Sequence, residues 1–310
     1  MIQVERLTKI YRTRRKEVRA VDDISFDISR NEIVGILGPN GAGKTTTIKS
    51  ILGLLIPDKG DIFIDGRKVG TSDRWIYRNI AAVLEGNRNV YWRLTVRENL
   101  EFFAGLQGYK PAKLKERIDF LIKKFGLESR QNDQVRTLSR GMQQKITVAV
   151  AFIRNTPILF LDEPTLGLDV ESSIELRRTL KELASENLKT VLISSHDMKV
   201  VEEICERVII LKNGKIIAND RIPNLKSLFR TIAYKVVYEG ILHEELKEKL
   251  KRSFLNVTFG KMDFVVEFKR MEDIYDFMSL LRAYKIQIKS LKAVEPDFER
   301  VYIRLIKGGK

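Results

Sequence analysis

The sequence predicts an α/β protein, in which helices cover both faces of a mostly parallel sheet, followed by a smaller α+β domain. Three observations predict this fold. Between residues 33 and 211, short apolar runs alternate with longer stretches of helical periodicity. A glycine-rich loop lies between the first of these runs and the helix predicted after it. After about residue 230 the pattern changes to short alternating strands and two amphipathic helices.

The larger domain, residues 1–220, can be divided into three parts. Residues 2–28 alternate between apolar and polar side chains, which predicts an antiparallel β subdomain. A capping-box sequence from Thr95 to Glu98 opens a mostly helical stretch, so we expect a helical subdomain over about residues 91–155. The main sheet is predicted from apolar runs at 33–37, 80–84, 158–161, 190–194 and 208–211, with a strand at 62–64, a helix at about 44–54 and a hairpin turn at 213–214.

The remaining chain is predicted to be a linker, residues 221–230, and a C-terminal accessory domain, residues 231–310. Its element order, β-α-β-β-α-β, is that of a split βαβ (ferredoxin-like) module. Its sequence carries no metal-binding cluster and no catalytic constellation. We therefore expect it to regulate the larger domain or to stabilise a dimer.

Composition limits the partners and the compartment. The chain has 310 residues, with 56 Lys and Arg against 41 Asp and Glu, and this excess suits a nucleotide, nucleic acid or anionic lipid without choosing among them. The densest basic cluster, between Arg12 and Arg19, is read either as a solvated loop or as a contact with a membrane surface. One cysteine and no apolar run of membrane-spanning length predict a cytoplasmic location.

The glycine-rich loop, GPNGAGKT at residues 38–45, matches the phosphate-binding pattern G-x-x-x-x-G-K-[ST] in full. Glycines let backbone N–H groups approach phosphate oxygens, and the helix that follows points its positive end at the same anion. Lys44 is a candidate charge for the β- and γ-phosphates, and the Thr45 hydroxyl a candidate Mg²⁺ ligand. The expected cofactors are ATP and Mg²⁺, and the expected nucleotide-binding residues here are Gly38, Pro39, Asn40, Gly41, Ala42, Gly43, Lys44, Thr45 and Thr46.

Two acidic residues and a histidine follow buried strands. Asp162 ends one strand and suits the Mg²⁺ shell, whereas Glu163 comes next and should point away from it. Glu163 is therefore the candidate general base, and a solvated strand end is the alternative. His196 stands at the carboxyl end of another strand, where open α/β sheets bind ligands. We expect Glu163 and Lys44 to be catalytic, whereas a lone histidine such as His196 is more often structural.

Four further motifs stand in order along the chain. They are LSRGMQQK at residues 138–145, ILFLDEP at 158–164, TLGLD at 165–169 (the D-loop) and TVLISSH at 190–196. Together with the phosphate loop, they make residues 1–220 resemble the ATP-binding domain of ABC transporters. This resemblance implies a P-loop NTPase (RecA-like) core that hydrolyses ATP and drives transport through a separate membrane subunit.

The resemblance also implies several roles. Two copies would pack head to tail as a homodimer, so that Ser139 and Gly141 of one copy, with Asp169 of the D-loop, complete the nucleotide site of the other. His196 would be a third catalytic residue, one that contacts the γ-phosphate and holds the attacking water. Tyr11 would stack on adenine unless it is an ordinary tyrosine at a strand end.

Two positions depart from the family pattern. Arg140 replaces the first glycine of the LSGG core, where it either adds charge near phosphate or points to solvent. Glu85 stands where a glutamine is expected, and because either side chain offers an oxygen to Mg²⁺ we expect Glu85 to be a metal ligand.

Glu85 and the segment after it, residues 88–100, resemble ABC-2-type drug and antibiotic exporters, as does the tail at residues 296–305 more loosely. The resemblance implies a membrane permease that docks between Glu85 and Leu94, although Tyr91 and Trp92 are also suited to filling the core of the helical subdomain. The expected location is the cytoplasmic face of the cell membrane.

Two other functions remain open from the sequence. A soluble ABC ATPase acting on nucleic acid or ribosomes would suit the basic charge, but such proteins usually carry two ATPase domains or long coiled coils, so no nucleic acid is expected as a partner. A nucleotide-binding regulator without turnover is disfavoured by the presence of Glu163 and His196.

Overall fold

The computed structural model describes residues 2–12, 17–70, 74–86, 89–106, 108, 111–186, 188–228, 232–268, 270–294 and 298–307. Several predictions lie partly outside these residues: the basic cluster at 13–16, the exporter-like segment at 88, the linker at 229–230 and the tail at 296–297. The chain forms two compact units, Met1–Ile222 and Pro223–Lys310. Within the described ranges, no helix has the length and apolar character that a membrane span requires.

The first unit contains two sheets and the helices that cover them. In chain order its elements are β1 (Ile2–Arg12), β2 (Glu17–Ile28), β3 (Ile33–Leu37), α1 (Lys44–Ile51), β4 (Lys59–Ile64), β5 (Arg67–Lys68), α2 (Arg74–Asn79), β6 (Ile80–Val83), α3 (Val96–Gly105), α4 (Pro111–Lys124), α5 (Arg140–Ile153), β7 (Ile158–Asp162), α6 (Val170–Glu186), β8 (Thr190–Ser195), α7 (Met198–Ile204), β9 (Arg207–Lys212) and β10 (Lys215–Arg221).

The main sheet has the order β10-β9-β3-β8-β7-β6. All its neighbouring strands are parallel except β10, which returns antiparallel to β9 through the predicted turn. Asn213 and Gly214 form that turn with φ of 51° and 77°, the left-handed backbone that favours these two residue types. Every residue of β3, β7 and β8 is buried, as the continuous apolar runs predict.

The second sheet is the predicted antiparallel β subdomain, with the order β2-β1-β4-β5. Its described apolar residues share one core with the main sheet. Ile2 and Ile24 of this sheet belong to the same buried cluster as Val34, Phe160 and Ile209 of the main sheet. Residues of β2 are therefore held against the loop that follows β3, where the candidate site lies.

The helical part begins as its sequence predicts. The Thr95 hydroxyl accepts from the Glu98 amide at 3.2 Å, and the Glu98 carboxylate accepts from the Thr95 amide at 2.7 Å, which is a complete capping box. The earlier helix α1 ends at Ile51, three residues before its predicted end. Gly53, with a φ of 66°, turns the chain there.

The second unit has the strand order β12-β13-β11-β14, all antiparallel. Residues 222–228, predicted to be linker, instead form a helix, because Ile222 and Leu225 are three residues apart and both buried. Its elements are α8 (Ile222–Leu228, shared with the first unit), β11 (Ile232–Glu239), α9 (Glu244–Ser253), β12 (Asn256–Phe259), β13 (Asp263–Phe268), α10 (Asp273–Ala283), β14 (Gln287–Val294) and α11 (Phe298–Lys307).

Candidate nucleotide-binding and catalytic site

The phosphate loop connects β3 to α1 and is in close contact with β9 on one side and β2 on the other. A side chain at Gly38 would lie 2.4 Å from the carbonyl oxygen of Leu211 in β9, and one at Gly43 would lie 2.5 Å from that of Ala20 in β2. Gly43 also has a φ of 106°, which L side chains rarely adopt. Only glycine therefore fits at these two positions, and the loop is fixed by both sheets.

A cavity of about 670 Å³ opens beside this loop and the start of α1. The first amides of a helix have no partner within it, so the start of α1 offers donors and a positive end to an anion. The cavity brings together most of the predicted nucleotide and catalytic residues, namely Asn40, Gly41, Ala42, Gly43, Lys44, Thr45, Thr46, Glu85, Glu163 and His196.

Lys44 is buried at the base of this cavity, with 6% of its surface exposed. Its Nζ donates to the carbonyl oxygens of Gly38 at 2.7 Å and Pro39 at 3.4 Å, and lies 3.3 Å from Oε1 of Glu163. A buried ammonium group needs such partners. A phosphate that entered here would compete directly with Glu163 for Lys44.

Asp162 has one satisfied and one unsatisfied oxygen. Its Oδ1 accepts from the Thr45 hydroxyl at 3.2 Å and makes a short hydrogen bond with the Ser194 hydroxyl. Its Oδ2 is buried and has no hydrogen-bond partner in the described part of the chain. A buried carboxylate oxygen without a donor is costly unless a cation binds it, so Asp162 and Thr45 together fit a Mg²⁺ site.

Glu163 turns away from Asp162, although not by the strand alternation that the sequence predicts. Strand β7 ends at Asp162, and Glu163 has a φ of 52°, the left-handed conformation. Its amide donates to the Ser194 carbonyl and hydroxyl oxygens at 3.1 and 3.2 Å, which fixes this turn. The carboxylate then lies between Lys44 and His196, with Oε2 2.9 Å from His196 Nδ1.

Ser194 is a site residue that sequence reasoning did not identify. It orients the Asp162 carboxylate and also holds the backbone of Glu163. It reaches them because β7 and β8 are neighbours with Asp162 directly opposite Ser194. The signal in the sequence is only a serine at the end of a strand, and the pairing of two strands is not visible in one sequence.

The residues predicted to act on a second copy do not line this cavity. Ser139 caps α5, with its hydroxyl accepting from the Met142 amide at 3.3 Å. Asp169 caps α6, and hydrogen bonds from the amide and hydroxyl of Ser172 lower the pKa of its carboxyl group. Neither these two nor Gly141 are among the described residues that line the cavity.

Tyr11 lies at the edge of the site. It pairs with Val18 across β1 and β2, and Val18 lines the cavity together with Arg19 and Ala20. The Tyr11 hydroxyl is 3.5 Å from that of Thr46, and its ring is 41% exposed. The ring is therefore available to a flat ligand beside the loop, as the stacking prediction requires.

Comparison with known proteins agrees with this geometry. The family model of the ABC transporter domain matches residues 21–166. The SkfA peptide export ATP-binding protein SkfE of Bacillus subtilis is 37% identical over 228 residues, which cover 73% of this chain and 91% of that protein. The chain belongs to the ABC transporter ATP-binding proteins. It is accordingly an ATP-binding subunit and an ATPase.

Two further relatives of this ABC ATPase extend the comparison. The linearmycin resistance ATP-binding protein LnrL of Bacillus subtilis is 32% identical over 310 residues, with 98% of both chains covered. A solved structure of the ATP-binding cassette MJ0796, a dimer in a post-hydrolysis state bound to ADP and Pi, matches with a TM-score of 0.65 and 29% identity over 71% of this chain and 98% of that one.

The ABC ATPase presents an aromatic surface after β6. Tyr91 and Trp92 are 51% and 42% exposed, so they do not fill the core of the helical subdomain. The Tyr91 ring packs edge-on against Phe102, with centroids 4.7 Å apart, and Phe102 is itself 39% exposed. Asn99 holds the backbone of Tyr91 with hydrogen bonds of 2.8 and 3.0 Å. These rings form a fixed, partly apolar patch.

Proposed function

We propose that this ABC ATPase is the motor of an ABC-2-type exporter, working as a homodimer on a separate membrane permease at the cytoplasmic face of the cell membrane. The main support for ATP-driven transport is the position of the Glu163 carboxylate, which lies between Lys44 and His196. The unpartnered oxygen of Asp162, the residue before it, adds a place for a cation. A third group orients the candidate base, and a cation fits beside it, which is the arrangement that phosphoryl transfer to water needs.

The roles of the residues follow from their contacts. Thr45, Asp162 and Glu85 would hold Mg²⁺, and the cation would supply positive charge to the phosphate oxygens of ATP. Lys44 exchanges Glu163 for phosphate when ATP enters. That exchange frees Glu163 Oε1 to take a proton from the attacking water, while His196 stays hydrogen-bonded to Oε2 and orients the carboxylate.

A second copy of the chain is proposed to complete the site. Ser139 and Gly141 at the positive start of α5 lie outside the chain's own cavity, so they are free to meet the γ-phosphate bound by another copy. A two-fold arrangement would use both sites equally. The dimeric state of the MJ0796 cassette supports this assembly.

Export through a permease is supported by the surface and by the relatives. The patch formed by Tyr91, Trp92 and Phe102 follows the same strand as Glu85, so a partner that docks between Glu85 and Leu94 would touch both the patch and the metal site. One relative is named for peptide export and another for linearmycin resistance. The second of these matches the C-terminal unit as well, for which we propose a regulatory or dimer-stabilising role.

Photo-crosslinking tests the permease. A photoreactive phenylalanine at Tyr91 should capture an integral membrane protein in cells that contain the full chain. Tyr77 is the matched control, since it is also an exposed tyrosine (44% against 51%) but precedes β6, whereas Tyr91 follows it. Equal capture from both positions, or none from Tyr91, would contradict docking. Capture of RNA or ribosomal protein at Tyr91 would favour the soluble alternative, which the charge of +15 permits.

A further inference from the structure

The side chain of Arg140 packs on the D-loop of its own chain. A side-chain carbon built on Gly167 would lie 2.3 Å from Cζ and Nη2 of Arg140 and 2.7 Å from Nη1. The guanidinium plane therefore covers the bare Cα of Gly167, in the middle of the D-loop. Gly167 has a φ of 73°, a backbone conformation that favours glycine, and a side chain at this position would displace the Arg140 guanidinium.

A second contact joins the same two segments. A side-chain carbon on Gly141 would lie 2.9 Å from the Ser172 hydroxyl, and Ser172 in turn donates to the Asp169 carboxylate at 2.8 Å. The first two residues of α5 thus touch the D-loop at Gly167 and the start of α6 at Ser172. The start of α5 therefore contacts the chain at the middle of the D-loop and again just after it.

Arg140 is exposed and borders the candidate site. A small cavity of about 80 Å³ is lined by Arg140 together with Glu85, Asp162 and Glu163. Among the described residues Arg140 has no hydrogen-bonding or ion-pairing partner, so its guanidinium makes its contact by stacking.

We propose that Arg140 is a positioning residue that fixes the D-loop in cis by stacking on Gly167. The planar guanidinium supplies a contact that a glycine at position 140 could not make. By holding the D-loop, Arg140 keeps Asp169 in the position from which Asp169 would face a second copy. The effect on hydrolysis rests on the proposed function, whereas the contact itself can be tested without nucleotide or partner.

Hydrogen exchange on the full chain tests the contact. The amides to follow are Leu166 and Leu168, which donate to the carbonyls of Glu163 and Thr165 at 3.1 and 3.2 Å within the D-loop. Arg140→Ala should speed the exchange of these amides about fivefold, because loss of the packing contact lowers the free energy of local opening by about one kcal/mol. Arg178→Ala is the control, since Arg178 is an exposed arginine on the helix that follows the D-loop. Unchanged exchange in Arg140→Ala would overturn the proposal.

A double-mutant cycle isolates the steric part. Gly167→Ala carries backbone strain in any background, but it expels a side chain only when Arg140 is present. Gly167→Ala should therefore speed D-loop exchange and lower ATPase kcat several-fold more in the wild-type chain than in Arg140→Ala. Equal effects in the two backgrounds would show that Arg140 and Gly167 are independent, and would overturn the proposal.

Arg140→Lys separates stacking from a point charge. Lysine keeps the charge but has no planar group to cover Gly167, so its exchange and kcat should resemble those of Arg140→Ala, with the KM for ATP changed less than about twofold. If Arg140 instead acted on the phosphate of a second copy, lysine would restore kcat and the alanine variant would raise KM. That result would overturn the positioning role while leaving the proposed exporter function intact.

Discussion

Two lysines of this ABC ATPase are equally buried at opposite edges of the main sheet. Lys44, 6% exposed, lies where the strands end and is paired with Glu163. Lys189, 4% exposed, lies where β8 begins, and its Nζ donates to the carbonyl oxygen of Thr156 at 2.5 Å, the only hydrogen-bond partner of this ammonium group among the described residues. Burial, with a smaller contribution from the charge of Arg117, lowers the pKa of Lys189 to about 8.

The difference shows what separates a functional buried charge from a structural one. Lys44 has a partner that a ligand can replace, so the cost of its burial is recovered in binding. Among the described residues, the Lys189 ammonium group has only a neutral carbonyl oxygen as its partner and makes no ion pair, so the cost of its burial is not recovered. The comparison predicts that changes at the carboxyl edge remove activity, whereas a change at the amino edge improves stability and leaves activity unchanged.

The largest effect is expected at Glu163, the ion-pair partner that distinguishes Lys44 from Lys189. Glu163→Gln should lower ATPase kcat by about a thousandfold, because the proton acceptor for the attacking water is lost. ATP binding should persist, since the glutamine leaves Lys44 available to phosphate. Steady-state hydrolysis and equilibrium ATP binding measure the two effects, and hydrolysis that persists in Glu163→Gln would refute the assignment of the base.

Lys44→Met should weaken ATP binding about a hundredfold, since a charge-assisted contact to phosphate is lost. Without nucleotide it should also lower the free energy of unfolding by about 2 kcal/mol, because Glu163 is then buried without its cation. The double variant Lys44→Met/Glu163→Gln is the control and should recover part of this stability. Stability unchanged in Lys44→Met would mean that the pair at 3.3 Å does not stabilise the chain.

Lys189→Met, the same substitution at the other edge, should raise the free energy of unfolding by about 2 kcal/mol at pH 7. The folded pKa of about 8 lies below the usual value of 10.5, so the unfolded chain binds more protons between these two values. The free energy of unfolding of the wild-type chain should therefore rise across that pH window. The amount by which Lys189→Met is more stable should be largest below pH 8 and should decrease above it. Thermal unfolding at several pH values measures this, and a constant difference would contradict it.

The sequence predicted the carboxyl edge far better than the amino edge, and the two lysines explain why. The loop around Lys44 is a contiguous pattern, so glycine, lysine and threonine can be assigned from spacing alone. The burial of Lys189 depends on how α4, α5 and β8 pack together. From the sequence alone, a lysine before a strand is predicted to be exposed. Ser194 and the stacking of Arg140 on Gly167 were missed for the same reason, since they join segments that are distant in the chain.

The smallest effect is expected at Glu85, which adds a third carboxylate to the carboxyl edge. It is exposed and lines the cavity shared with Asp162 and Glu163, so its contribution to Mg²⁺ binding is screened by solvent. Glu85→Gln keeps an oxygen ligand and loses one charge, so the Mg²⁺ concentration for half-maximal ATPase should rise about threefold with little change in kcat. Glu171→Gln on α6, an exposed glutamate that does not line either cavity, is the matched control. Because the expected change is in metal affinity alone, an unchanged Mg²⁺ dependence and an unchanged pH profile would remove Glu85 from the metal site and leave Asp162 and Thr45 as its ligands.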